Sequence, residues 1–320
     1  MATDSPNQIM ARQLTLVPTN LEGVHGIAPP PAGFDPLAAD TATLVRYGFP
    51  PRPDPTAAPK AAAIWQRTLA RKLQFVQPTL HPRPEKKDGP RPMPRPLAGS
   101  ADLSSGNWSG GVLFNGAPFD GIIGSWTVPS VSPPAAGDGD WWSVAWVGID
   151  GWNSGDVLQA GTGQHVRRTN GQITTEYFAW YEWFPYNWTE ITSLAVHPGD
   201  TVSVFVRYLG INNGVGQGTA SLSNLSTAVS TTVQLTAPPG TTLQGNCVEW
   251  IMERPGINGQ LVNLPEYGHV AFSDCVACAG NKSYDGSQAQ VANMTEAGAT
   301  VSVARLESDW GCTFQGSAVV

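Results

Sequence analysis

Two polar side chains sit where the sequence leaves little room for them. "GNCVEWIMERPG" (Gly245–Gly256) reads as a buried strand, with Val248, Trp250, Ile251 and Met252 all large and apolar, yet Glu249 lies in its middle. Burial among apolar groups disfavours the charged form of a carboxyl and raises its pKa, which suits general acid–base work. Glu253 falls on the same face if the strand is regular. Glu182 in "WYEWFP" and Asp150 in "WVGIDG" are further carboxylates in aromatic strands. "GDVLQAGTG" gives Gln159 a similar setting. Its amide N–H donates without titrating and could hold an oxyanion in acid. Each has a plainer reading beside this one: a carboxylate on an edge strand, or an amide bonded in a turn.

Other chemistries find no foothold. There is no G-x-S-x-G elbow, no D-T-G or D-S-G, no H-E-x-x-H and no phosphate-binding glycine loop before a helix. From residue 100 onward the histidines are His165, His197 and His269, far apart in sequence. The cysteines are Cys247, Cys275, Cys278 and Cys312. "CVAC" has zinc-knuckle spacing but no second C-x-x-C; zinc is the lesser reading, and one or two disulfides in any of the three pairings are expected in an oxidising compartment, with Cys275–Cys278 and Cys247–Cys312 as the first choice. The sequons at Asn107, Asn187, Asn224, Asn281 and Asn293 matter only in a eukaryotic secretory setting.

The elements that must position these groups are strands. From Leu103 onward, short runs such as "IIGSWTV", "SVAWVGID", "TVSVFVRYL" and "ATVSVARL" alternate with Gly, Pro, Asn and Ser clusters. Charged residues make up only 13% of the chain, and eleven of the twelve tryptophans lie in this half. The pattern predicts an all-β, two-sheet antiparallel sandwich or jelly roll over 100–320, with aromatics left over for a ligand groove.

Residues 1–99 differ. They hold 18 of the 28 prolines and 12 Lys/Arg against 7 Asp/Glu, while the remainder holds 6 against 18. "GFPPRPDPTAAPK" and "HPRPEKKDGPRPMPRPLAGS" read as extended and unpacked. Between them an amphipathic basic helix is expected over about 60–77, with Trp65, Leu69, Leu73 and Val76 on one side. Its basic face has few interleaved aromatics, so docking on the following domain is favoured over nucleic acid. No apolar run reaches the roughly 18 residues a membrane span needs. The first residues lack the pattern of a standard signal peptide.

Five stretches, in order, then resemble the glutamic peptidases of the eqolisin family: "NWSGGVL" (Asn107–Leu113), "AWVGIDG" (Ala145–Gly151), "VLQAG" (Val157–Gly161), "WYEWFP" (Trp180–Pro185) and "VEWIMER" (Val248–Arg254). The resemblance implies a concanavalin-like jelly roll and a Glu249/Gln159 catalytic dyad, with no metal and no cofactor. It implies a substrate cleft that includes Trp146, Asp150, Trp180, Glu182 and Phe184. Departures from the family pattern are Phe184 for a tyrosine, Phe178 for an aspartate, and Gly163 or a neighbour for an aspartate after the glutamine.

The resemblance implies a secreted, monomeric acid endopeptidase acting on proteins or peptides. Residues 1–99 would then be a basic pro-segment that inhibits its own acidic domain and is cut between about Arg83 and Gly106. A jelly-roll glycoside hydrolase using Glu249 and Glu253 is the rival enzyme, although the strand lacks the E-x-D-x-x-E arrangement. A carbohydrate-binding lectin is the non-catalytic rival.

Overall fold

Strands with alternating side-chain direction build this chain, and alternation decides which neighbour each side chain meets. The structure, a computed structural model, describes residues 13–83, 95–96, 103–114, 118–134, 137–152, 154–280 and 282–315. In chain order, the main strands of the first sheet are β1 (Leu80–Pro82), β2 (Trp108–Leu113), β3 (Gly139–Ile149), β4 (Val157–Thr169) and β5 (Gln172–Phe184). They continue as β6 (Thr189–Ile191), β7 (Val248–Glu253), β8 (Gln290–Glu296), β9 (Ala299–Leu306) and β10 (Trp310–Phe314). They pair antiparallel in the order β1-β6-β5-β4-β3-β7-β2-β8-β9-β10.

A second antiparallel sheet packs on the first. Its order is Val229–Thr236, Val215–Asn224, Thr201–Asn212, Gly121–Thr127, His269–Ala279 and Lys282–Asp285. The strand His269–Ala279 joins the sheets: its start pairs with β10, its later part with Gly121–Thr127. A register shift between Ser273 and Val276, with Asp274 at φ 60, turns the corner. The result is the expected β-sandwich.

The core between the sheets takes one face of the first sheet: Ala145, Val147, Leu158, Ala160, Val248, Trp250 and Met252. The other face carries a second apolar cluster that includes Trp108, Val144, Trp146, Phe178, Trp180 and Ile251. β7 is therefore buried on both sides, with all six residues covered. All twelve tryptophans are buried, so none forms an open groove in the full chain.

The N-terminal residues pack more than their composition predicts. Helix α1 spans Thr41–Arg46, capped by the Asp40 carboxylate accepting from the Thr43 N–H. Helix α2 spans Pro59–Leu69, with proline at its start. It stops well short of residue 77. Gln74 and Phe75 are captured instead by parallel pairing with Val229 and Ser230 at the edge of the second sheet. The stretch expected to be unpacked contributes buried Phe49 and Ala58. Phe49 packs edge-on to Phe75, and Arg52 lies over the Trp65 ring. Ala61 and Ile64 of α2 meet Val276 and Ile123 on the outer face of the second sheet. The second proline-rich stretch lies, beyond Arg83, almost wholly outside the described residues.

The disulfide expectation is overturned: all four cysteines are free thiols. Cys275 faces the inter-sheet core, whereas Cys278 faces the outer side of the second sheet. Cys247 lies on the outer face of the first sheet and Cys312 in the inter-sheet core. Each expected pair is thus separated by a sheet, and sulfurs directed to opposite faces cannot meet. Burial pushes the Cys278 thiol up to about 11 and the Cys312 thiol up to about 12.

Candidate active site

Strand register brings the singled-out residues into one row. Glu182 on β5 lies opposite Gln159 on β4, Gln159 opposite Gly148 on β3, and Gly148 opposite Glu249 on β7. Directly paired residues share a face. Gln159 and Glu249 are two strands apart, about 10 Å between backbones. Between them stands the one residue without a side chain. A Cβ on Gly148 would lie 2.8 Å from the Trp146 ring and 3.1 Å from Gln159 Cβ. The space beside Gly148 is therefore already taken by the Trp146 ring and the Gln159 side chain, and only a glycine fits there.

One end of the row is tied by a hydrogen bond. Gln159 Nε2 donates to Glu182 Oε2, while Gln159 Oε1 makes no hydrogen bond among the described residues. Gln159, Glu182 and Glu249 are all buried. Glu249 is flanked by Gly148 and Val112 across the strands and by Cys247 and Ile251 along its own face. The Cys247 thiol is pushed well up, by burial first and then by the Glu249 carboxylate beside it.

Trp146 forms the floor. Its ring packs edge-on against Trp108 with centroids 5.0 Å apart. Its Nε1 donates to Glu253 Oε2 at 2.7 Å, and Asn107 Nδ2 donates to Glu253 Oε1 at 3.4 Å. Glu253 thus holds the floor tryptophan rather than offering a second carboxylate to a substrate. Sequence reading missed this role of Glu253 and Asn107. Their signal was available only as two polar residues at the ends of facing apolar strands.

Asp150 serves the backbone. It sits at φ 65, and its carboxylate accepts from the N–H groups of Gln244, Gly245 and Asn246 at 2.6, 2.9 and 2.6 Å. It anchors the loop that enters β7, and so sets where Glu249 falls. Trp180 lies on the site face, edge-on to Trp188. Phe184, half-buried, packs at the margin of the same cluster. The departures at Gly163 and Phe178 turn out to be cross-strand partners. A Cβ on Gly163 would come within 2.1 Å of the Phe178 ring, so the ring fills the space the missing side chain leaves. Among the described residues, no group of three His, Cys, Asp or Glu is arranged to hold a metal ion.

Comparisons with known proteins place the chain in a family. A family profile described as the Peptidase A4 family matches residues 106–314. Aspergillopepsin-2 of Aspergillus niger is 27% identical over 266 residues, covering 78% of this chain and 92% of that protein. Scytalidopepsin B of Scytalidium lignicola is 28% identical over 192 residues, covering 58% and 68%. A crystal structure of scytalido-glutamic peptidase with a transition state analog inhibitor superposes with a TM-score of 0.55 at 25% identity, covering 65% of this chain and 98% of that one. The glycoside hydrolase and lectin readings fall on this evidence. The chain belongs to the Peptidase A4, or eqolisin, family and is a glutamic endopeptidase acting in acid.

Proposed function

We propose that Glu249 and Gln159 hydrolyse peptide bonds through an activated water, without a covalent intermediate. The observation that carries this reading is the single row Glu182–Gln159–Gly148–Glu249 on one face. Glu249 takes a proton from the water, and the hydroxide attacks the scissile carbonyl. A glutamine amide has two N–H groups. One is committed to Glu182; the other stabilises the tetrahedral oxyanion. Glu249 then delivers its proton to the leaving amine. Apolar burial keeps the proton affinity of a carboxyl high enough to serve both steps. Trp146, Trp180 and Phe184 line the face for substrate, while Glu182 and Asp150 position the dyad.

The reading includes residues 1–99 as an intramolecular inhibitor. Three basic residues of this region meet acidic residues of the sandwich. Lys60 Nζ lies 2.9 Å from Asp285 and 2.8 Å from Asp309. Arg67 pairs with Asp274, and Arg83 with Glu176 and Glu190. Protonating these carboxylates weakens the docking. Phe178, stacked under Arg83, is on the same face as Gln159 and four positions further along. An acid-active enzyme needs an acidic surrounding, so secretion as a monomeric zymogen completes the reading. Among the described residues no helix is long and apolar enough to cross a membrane.

The test is digestion of a protein substrate at pH 3–4, with an inhibitor of pepsin-like aspartic proteases present. Wild type should digest undiminished. Gln159→Ala should lose about a hundredfold to a thousandfold in turnover. Near-normal turnover in folded Gln159→Ala would remove the glutamine from the mechanism. N-terminal sequencing after acid incubation should find a new start between Arg83 and Gly106.

A further inference from the structure

The contact made by Arg83 differs in kind from the other basic contacts of the N-terminal region. Arg67 is 55% exposed on its partner, as expected of a solvated ion pair, whereas the Arg83 side chain is only 9% exposed. A guanidinium is buried to this extent only when it is fully paired. Arg83 Nε and Nη2 donate to Glu190 Oε2 at 3.0 and 2.7 Å. Nη1 donates to Glu176 Oε2 at 3.3 Å, and Nη2 also reaches Glu176 Oε1. The guanidinium lies 4.2 Å above the Phe178 ring. Fork-to-carboxylate bonding with an aromatic platform is how arginine is recognised with high selectivity.

A second layer holds the walls. His165 pairs with Glu176 on one ring nitrogen and with Asp140 on the other. Its ring stacks on Trp142 at 3.7 Å. The bond to His165, more than the one to Arg83, holds the Glu176 carboxyl down at about 2. The pocket therefore keeps negative charge in acid. Glu176, Glu190, Phe178, His165 and Trp142 all belong to the sandwich, and only the occupant comes from the N-terminal region.

The backbone around Arg83 is seated like a peptide ligand. β1 adds to the sheet as a short edge strand: Pro82 pairs with Thr189, His81 with Glu190 and Leu80 with Ile191. The Arg83 N–H continues the ladder to the Trp188 carbonyl. Removing this segment would leave β6 with an open edge beside an acidic, aromatic pocket, which is the geometry of strand-addition recognition.

We propose that this pocket is a substrate subsite for an arginine side chain, with the peptide bound as an added strand on Thr189–Ile191, and that Arg83 fills it in the intact chain. The subsite lies on the dyad's face of the sheet, four residues along the strands from Gln159, about 13 Å. It is remote from the scissile bond, so it selects substrates by a residue several positions away. The assignment rests on the peptidase reading for its consequence but not for its binding chemistry.

The experiment therefore has two arms. In the first, full-length Arg83→Ala is titrated with N-acetyl-arginine amide and with its neutral isostere N-acetyl-citrulline amide, read by tryptophan fluorescence and nuclear magnetic resonance. The arginine amide should bind at least about tenfold more tightly than the citrulline amide, the range expected for charge-assisted hydrogen bonds. The preference should vanish in wild type, where Arg83 is seated, and in Arg83→Ala combined with Glu176→Gln and Glu190→Gln. Equal binding of the two amides by folded Arg83→Ala overturns the pocket. In the second arm, acid-incubated wild type digests paired peptides that differ only in arginine or citrulline. A lower KM for the arginine peptide, lost in Glu176→Gln/Glu190→Gln, supports a substrate subsite. Equal KM values overturn that role. Absence of digestion of any peptide would count against the peptidase mechanism instead, while the first arm still decides the pocket.

Discussion

Gln159 and Gln164 sit on the same strand, five residues apart and on opposite faces. Gln164 points into the inter-sheet core. Its Oε1 accepts from Ser143 Oγ at 3.1 Å, and its Nε2 donates to Thr162 Oγ1 at 3.1 Å, which also accepts from Trp126 Nε1 at 3.0 Å. Its polar atoms are used up by the fold. Gln159 points to the outer face, where one bond to Glu182 orients it and Oε1 is left over. The difference separates a polar group spent on the fold from one with bonding capacity left. A buried amide whose atoms are all satisfied stabilises the fold, and one held by a single partner keeps capacity for a ligand. The same division holds on β7, where Trp250 and Met252 serve the core while Glu249 and Glu253 serve the other face.

Breaking the outer face should cost rate, and breaking the inner face should cost stability. Glu249→Gln is nearly isosteric but cannot accept the proton, so turnover at pH 3–4 should fall by about a thousandfold or more, with an unchanged melting temperature. Near-wild-type turnover would displace Glu249 from the role of base. Gln164→Ala should do the reverse. It strands Ser143 and Thr162 and should destabilise by about 1–3 kcal/mol in denaturant melts, while turnover per folded molecule stays within about twofold.

Gly148→Ala tests the boundary between the two effects. Its Cβ would press on the Trp146 ring, so a stability loss of about 1–3 kcal/mol is expected together with a rise in KM. Unchanged kinetics would mean that the placement of the Trp146 ring does not bear on substrate.

The smallest effect concerns pH. The folded Glu176 carboxyl, at about 2, lies below its ordinary 4.5. Its docking contribution is complete above about pH 4.5 and is lost as pH falls through about 2. The Arg83–Glu176 contact therefore persists at pH 3–4 until the segment is cut and released. Glu176→Gln weakens docking at every higher pH, so the onset of digestion should move upward by less than about one pH unit, because Glu176 is half exposed. An unchanged onset would remove Arg83 from the control of activity.

Much of the sandwich was legible because period-two alternation and turn residues are local signals. "VEWIM" reads as β7, and the composition break near residue 100 separates the basic, proline-rich start from the strands. The N-terminal region was less legible. α2 ends at Leu69 although the amphipathic pattern runs on, because an edge of the second sheet captures Gln74 and Phe75. The cysteine pairing failed for the same kind of reason: spacing along the chain does not say on which side of a sheet a sulfur ends up.

The sequence by itself determined the strands, the alternation along them, and the residue types capable of acid–base and oxyanion chemistry. Tertiary structure decided register. Gln159 and Glu249 are ninety residues apart in the chain, and no local pattern specifies that both stand opposite Gly148. A one-residue slip in either pairing would turn one of them into the core. Long-range strand pairing, fixed by the packing of Trp250, Leu158 and Val147 between the sheets, brings Glu249 and Gln159 into one row on the outer face of the sheet.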